Sequence, residues 1–361
     1  RLAREASQRR TQPLGTVALA GDFLPDGPVG EAIRKHGAEW PWTGVAALTA
    51  RCDLAVCNLE APLSAIGWKI NEYRGEPAAV KGLRAAGIDA VTLANDHILD
   101  YDDPALLSTL ALLDREEIAH AGAGHTLARA RQPALLRLGE TRVALLSYGR
   151  PELGRSRTGR RWEASPWSPG IAPAVAAEVQ EDVRRAKKEA QVVLVAFHWG
   201  GEGEETPRPE DRALARLAVE AGATVVFGHG PGLVQGLEVH GNGLILYNLG
   251  ACVRQGEDSA RSLGLIARLS LAGGQVQGLE LIPVRTEEGR AVLLKGEEAA
   301  AVLRLSGERS RQAQSEPPAP DPGKEEQTPA AAGNRSPAWY SARGGGHTHE
   351  RSDRDRSTQP P

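Results

Sequence analysis

Six side chains able to bind a metal or move a proton follow short apolar runs: Asp22, Glu60, Asp96, His97, His198 and His229. Run 14–20 hands over Gly21-Asp22, run 53–57 hands over Asn58-Leu59-Glu60, and run 90–94 hands over Asn95-Asp96-His97. Run 192–197 ends at His198, and run 224–227 ends at Gly228-His229. Each run has the length of a buried strand, and α/β sheets bind ligands in the crevice beyond the carboxyl ends of their strands. Carboxylates mixed with imidazoles suit Mn, Fe or Zn better than Ca. Two such ions ~3.5–4 Å apart would activate water and clamp a phosphoryl oxygen, with a carboxylate such as Glu60 bridging them.

Taken singly, each residue also has a plainer reading. Asp22 suits a turn, Asn58 and Asn95 are favoured loop residues, Glu60 suits an exposed first helical turn, and His198 could be a packed core ring. What favours a metal centre is that five runs deliver such groups to one sheet end. His36, His120, His125 and His240 stand in helical or loop contexts without that delivery and read as structural or solvent-facing.

The elements that must position these groups follow from periodicity. Helical spacing over 104–113, 172–190 and 209–221 alternates with the apolar runs, which predicts an α/β domain with largely parallel pairing. After Gly250 the stretches 262–271, 276–283 and 292–294, separated by glycine-rich turns, predict antiparallel strands. Three segments are expected: a polar N-terminal stretch over 1–13, one folded domain over 14–304, and a disordered tail over 305–361 with few branched apolar residues. The tail's Gly344-Gly-Gly-His347-Thr-His349-Glu350 tract has metal-binding chemistry in principle but reads first as a solvated end.

Composition removes other classes. With 43 Lys plus Arg against 46 Asp plus Glu, and aromatics at only 4%, neither the charge nor the stacking platform of a nucleic-acid binder is present. Cys52, Cys57 and Cys252 form no CxxC pair, so no disulfide framework or thiolate zinc site is indicated. The chain starts at Arg1 and holds no methionine, so an upstream signal sequence or membrane anchor is expected.

Gly21-Asp22, Cys57-Asn-Leu-Glu-Ala-Pro-Leu63, Leu93-Ala-Asn-Asp-His-Ile-Leu-Asp-Tyr101, His198-Trp-Gly200, Gly228-His-Gly-Pro231 with Val234-Gln235, and Leu246-Tyr-Asn-Leu-Gly250 occur in that order. From about Gly15 to Ile282 the chain thereby resembles the CapA family of poly-γ-glutamate capsule-synthesis proteins, whose domain looks like a calcineurin-type metallophosphatase. The resemblance implies a four-layer α-β-β-α sandwich. It also implies a divalent-metal centre of one or two ions, with Asp22, Glu60, Asp96, His198 and His229 as ligands. Asp96-His97 would match the metallophosphatase Asn-His pair, making His97 the general acid, with Asn58 and Asn95 supporting the ligands from behind. Implied too are an anionic polymer or phosphoester substrate, other capsule-synthesis membrane proteins as partners, and an extracytoplasmic place in the cell envelope, anchored by a segment upstream of Arg1.

Departures from the family pattern set a second reading beside the hydrolase. Where the family reads Gly-His-His-Pro-His or Gly-His-Gly-Pro-His, this chain has Gly228-His229-Gly230-Pro231-Gly232, and Leu-Gly-Asn-Phe is replaced by Leu249-Gly250-Ala251-Cys252. A centre short of a ligand holds fewer ions or holds them weakly. The alternative is therefore a catalytically impaired relative serving as a binding or scaffold component of polymer synthesis or export. Cys252 could stand in as a thiolate ligand, although a cysteine in an apolar stretch is usually core. The loops over 68–77 and 150–170, with Lys69, Arg74, Arg155 and Arg161, are expected to wall the cleft against an anionic substrate.

Overall fold

Strict alternation of side chains along the apolar runs decides the architecture, because each run has two faces and both are buried. In β1 the residues Val17 and Leu19 point to one side while Ala18 and Ala20 point to the other, and all four are inaccessible to solvent. A strand of this kind needs a covering layer on each side.

The computed structural model describes residues 15–151, 153–254 and 259–315. The strands are β1 Gly15–Phe23, β2 Leu54–Leu59, β3 Ala90–Thr92, β4 Ala119–Ala121, β5 Ala123–Gly124, β6 Ala134–Leu138, β7 Thr141–Gly149 and β8 Gly170–Ile171. They continue with β9 Val192–His198, β10 Val225–His229, β11 Leu237–His240, β12 Gly243–Leu246, β13 Ala251–Val253, β14 Leu263–Ala272, β15 Gln275–Glu287 and β16 Arg290–Leu293. The longer helices are α1 Gly27–His36, α2 Ala79–Ala85, α3 Asp102–Arg115, α4 Ala176–Glu189, α5 Pro209–Ala221 and α6 Gly296–Ser315.

Two main sheets form. The first runs β16-β15-β14-β1-β2-β3-β4, with β13 also pairing β1, and the second runs β11-β12-β10-β9-β7-β6. Val17, Leu19, Leu54 and Val56 of the first sheet meet Leu145, Leu194, Val225 and Phe227 of the second in a shared core. The opposite face of the first sheet packs on Val29 and Ile33 of α1, Val80 and Leu83 of α2, and Leu106, Leu110 and Leu113 of α3. The opposite face of the second, through Val193, Val195 and Phe197, packs on Val179 and Val183 of α4 and Ala215 and Ala218 of α5. The layers are helix, sheet, sheet, helix, the expected four-layer sandwich.

Two expectations are corrected. The five apolar runs do not end at one sheet: β1, β2 and β3 belong to the first, β9 and β10 to the second. The segment over 305–361, expected to lack structure, begins within a helix, since α6 continues to Ser315. That helix adds Val302 and Ala299 to the core between the sheets and is fixed further along by polar bonds. Ser306 Oγ donates to the Gln235 carbonyl at 3.1 Å, Ser310 Oγ accepts from Leu237 N–H at 2.8 Å, and the Arg309 and Arg212 guanidiniums donate to the Val234 and Ala313 carbonyls. Expectations for residues 1–13 and 316–361, the His347-Thr-His349 tract included, lie outside the described residues.

Register then places the chemistry. Asp22 of β1 is level with Asn58 of β2 and with Ala251 of β13, while His198 of β9 is level with His229 of β10. The approach of β13 is close: Asp22 N–H donates to the Gly250 carbonyl at 2.9 Å, and a Cβ on Gly21 would lie 1.9 Å from that oxygen. Gly21→Ala is expected to cost about 1–3 kcal/mol, the usual range for an overpacked core. Gly278→Ala, whose added carbon finds only ordinary contact, should stay within about 0.5 kcal/mol. Denaturant melts of the two variants beside the parent chain check this, and equal midpoints would contradict it.

Candidate metal centre

Strand ends of the two sheets present their polar residues to one buried point. Asp22, at the end of β1, is fully buried; its Oδ1 accepts from Asn58 Nδ2 at 2.9 Å and from His229 Nδ1 at 2.8 Å. Asn58 Oδ1 in turn accepts from Thr92 Oγ1 and Asn95 Nδ2. Asn95 also donates to the Leu59 carbonyl, and its Oδ1 caps the backbone N–H groups of His97 and Ile98. Asn58 and Asn95 thus tie the ends of β1 and β2 to the turn that carries Asp96 and His97.

Glu60, Asp96 and His198 bring ligand atoms within 4.8 Å of one another. His198 Nε2 comes to 2.9 Å from Asp96 Oδ1 without hydrogen-bond alignment, and His97 Nε2 lies 3.6 Å from the same oxygen. All six delivered residues are therefore linked by short contacts: Asp22 to His229 through one hydrogen bond, Asp96 to His97 and His198, and Glu60 to Asp22 through a shared arginine.

That arginine, Arg254, sequence reasoning missed. Its Nη1 lies 3.2 and 3.3 Å from the two Glu60 oxygens and 4.0 Å from Asp22 Oδ2. The signal was present, since Arg254 follows the apolar run of β13 as the other residues follow theirs. Asp100 was missed as well. It stands three residues beyond His97, is fully buried, and accepts from His97 Nδ1 at 2.9 Å and from Tyr73 N–H at 2.9 Å. The ring of Tyr73 meets the His97 ring edge-on at 4.6 Å. Cys252 lies in the core between the first sheet and its helices, where burial pushes the thiol up to about 12, so it offers no ready thiolate. His36 stacks on Trp40, while His120 and His240 pair with Asp114 and Glu220, away from the centre.

The electrostatics are those of concentrated buried charge. Burial pushes Glu60 up to about 7 although Arg254 pulls the other way, with the Asp22 carboxylate adding to the rise. Burial also opposes ionisation of Asp22 and Asp96, yet the His229 contact holds the first below its ordinary value and His198 holds the second well below. For His97 burial disfavours the charged ring, but the Asp100 bond and the Asp96 and Glu60 charges raise it to about 9.

Whether these residues suit a metal is answered by their unpartnered atoms. Buried polar atoms in folded proteins nearly always find a hydrogen bond. Here Asp22 Oδ2, His198 Nδ1 and His229 Nε2 are buried with no hydrogen-bond partner. A carboxylate pins one nitrogen of His229 and leaves the other open, the usual way a metal-binding imidazole is oriented. Oxygen and imidazole donors with vacant lone pairs fit Mn, Fe or Zn. The loop over 68–77 sits directly on this centre, its Ile70 and Asn71 N–H groups donating to the Asp100 carbonyl, and Arg150 N–H of the second loop donates to the His198 carbonyl. The cationic side chains are partly engaged: Arg74 lies over the Tyr101 ring, Arg155 donates to the Gly159 carbonyl, and Arg161 stands 3.5 Å from Glu163.

Comparison with known proteins adds the following. The family model for the bacterial capsule synthesis protein PGA_cap matches residues 16–255. The capsule biosynthesis protein CapA of Bacillus anthracis is 25% identical over 284 residues, covering 76% of this chain and 68% of that protein. A Mycobacterium tuberculosis protein named "Probable polyglutamine synthesis accessory protein" is 31% identical over 274 residues, 70% of this chain and 71% of its own. Among solved structures, the calcineurin-like phosphoesterase YfkN of Bacillus subtilis superposes with a TM-score of 0.43 at 13% identity, over 84% of this chain and all of that one.

The His97–Asp100 pair gives a prediction independent of any ligand. A ring whose folded-state pKa is raised contributes stability that is complete below about 6.5 and is lost as the pH rises through about 9. Asp100→Asn removes the carboxylate, so His97 in metal-free protein should titrate at a lower pH than in the parent chain. NMR of the imidazole carbons across pH 5–10 reads this; an unmoved titration would show that Asp100 does not hold the ring.

Proposed function

This chain belongs to the PGA_cap family of bacterial capsule synthesis proteins, and from that premise we propose that it serves poly-γ-glutamate or a related envelope polymer through a metal-dependent hydrolytic centre of metallophosphatase type. The observation that carries the reading is the group of buried Glu60, half-buried Asp96 and buried His198, flanked by the unpartnered atoms of Asp22 and His229. Asp22, Glu60, Asp96, His198 and His229 would supply the ligands of a centre of one or two ions, which when bound would supply an activated water and polarise the scissile bond.

The protein's own part is positioning and proton transfer. Asp100 and the Tyr73 ring fix the His97 imidazole with its Nε2 toward Asp96, so His97 stands beside the centre as the group that protonates a departing oxygen. The substrate class is an anionic polymer or a phosphoester, a reading supported by Arg254 within the centre and by the 68–77 loop, which carries Lys69 and Arg74 and packs on Asp100. Capsule-synthesis membrane proteins would be the partners and the cell envelope the place of action. Among the described residues no helix is long and apolar enough to cross a membrane.

One observation favours the second reading, a binding component without turnover: Glu60, the central carboxylate, is already neutralised by Arg254. The two readings part in one experiment. Protein loaded with Mn is assayed on aryl phosphomonoesters and diesters, and His97→Asn is expected to lower kcat by about 10²–10⁴-fold while leaving the bound metal unchanged. Turnover undiminished in His97→Asn would remove the ring from the chemistry. No turnover in the metal-loaded parent chain, together with retained binding of poly-γ-glutamate, would leave the binding component standing.

A further inference from the structure

Arg254 occupies an unusual place for an arginine. It is 8% exposed, its backbone N–H is fixed by Thr286 Oγ1 at 3.0 Å, and its guanidinium reaches toward two buried carboxylates at the ends of the neighbouring strands β1 and β2. Glu60 meets Nη1 with both oxygens, and Asp22 turns toward the same nitrogen the one oxygen that finds no hydrogen bond, at 4.0 Å. On the far side, Nη2 stands 4.0 Å from Glu202.

The opposite wall is built to admit this side chain. Gly232 has φ +68°, and a Cβ there would point at Arg254 Nη1 from 3.6 Å. A Cβ at that distance is in ordinary van der Waals contact with the guanidinium, so position 232 borders the arginine directly. At Gly230, with φ +118°, a Cβ would lie 2.2 Å from the Trp199 carbonyl oxygen, so that position admits no side chain without displacement of the backbone. Among the glycines of the segment 228–232, Gly232 is the one that faces the guanidinium of Arg254, and its lack of a side chain leaves the arginine's approach to Glu60 open on that side.

We propose that Arg254 takes the part of a second metal ion, so that the centre holds a single divalent cation on the Glu60, Asp96 and His198 side and a permanent guanidinium between Glu60 and Asp22. The inference rests on the metal-centre reading and fixes its stoichiometry. A second ion ~3.5–4 Å from the first would need the carboxylates that the guanidinium already engages. Guanidinium stays charged at every accessible pH and presents two parallel donors. An anionic group on the substrate would then be held between one ion and one arginine rather than two ions, through the guanidinium N–H groups that Glu60 leaves unoccupied.

Metal counting tests this without reference to activity. The parent chain, Arg254→Lys and Arg254→Gln are dialysed to equilibrium against Mn(II), and bound Mn is measured by elemental analysis and by electron paramagnetic resonance. One equivalent with an isolated six-line spectrum is expected for the parent and for Arg254→Lys. Arg254→Gln, relieved of the charge, should take up close to two equivalents and show an exchange-coupled spectrum, with a melting temperature that rises more steeply with Mn than the parent's. Two equivalents in the parent chain overturn the proposal even if the glutamine variant does not fold. A single equivalent in folded Arg254→Gln overturns it while leaving the metal centre intact. No binding in any of the three removes the metal centre itself, and the proposal with it.

Discussion

Four carboxylates, those of Asp22, Glu60, Asp96 and Asp100, are gathered with three imidazoles and one guanidinium at the facing ends of two sheets, largely out of contact with water. Burying an uncompensated ion costs several kcal/mol even after relaxation, so the fold around such a group is obliged to supply partners. Asp22 takes His229, Asp96 takes His198, Asp100 takes His97 and Glu60 takes Arg254. Each acid has one base, and the unpartnered lone pairs left over point to a further cation. Much of the architecture follows from the need to bring these pairs together from strands far apart in sequence.

The two sheets meet that need by register. Parallel pairing of β1 with β2 and of β9 with β10 ends each pair level, so that Asp22 stands beside Asn58 and His198 beside His229. The shared core of Val17, Leu19, Leu194 and Phe227 holds the sheets face to face, and the hydrogen bond from His229 to Asp22 spans them. Glycine at position 21 lets β13 approach closely enough to deliver Arg254. Structure and charge are coupled here: a shift of one strand by one residue would turn these side chains to the opposite face.

Much of this was legible from residue order. Apolar runs ending in Asp, Asn, Glu or His marked β1, β2, β3, β9 and β10, and antiparallel strands after Gly250 were readable from glycine turns. The division of the runs between two sheets was not readable from their composition, because a buried strand has the same pattern in either sheet. Arg254 escaped notice because an arginine after a strand is ordinarily a solvated residue, and only the tertiary approach of β13 to β1 makes it a buried partner of Glu60. The C-terminal half of helix α6 escaped for the converse reason: beyond Val302 its buried face is made largely of Ser306, Arg309 and Ser310 bonding to backbone groups, and such residues read in a sequence as a solvated segment.

The central claim is that the facing strand ends form a site for a divalent cation. Crystals grown with Mn(II), with diffraction collected on both sides of the Mn absorption edge, address it directly. An anomalous peak within coordination distance of Glu60, Asp96 and His198 is the expected result. A map without such a peak at saturating Mn(II), with the Glu60–Arg254 pair unchanged, would contradict it.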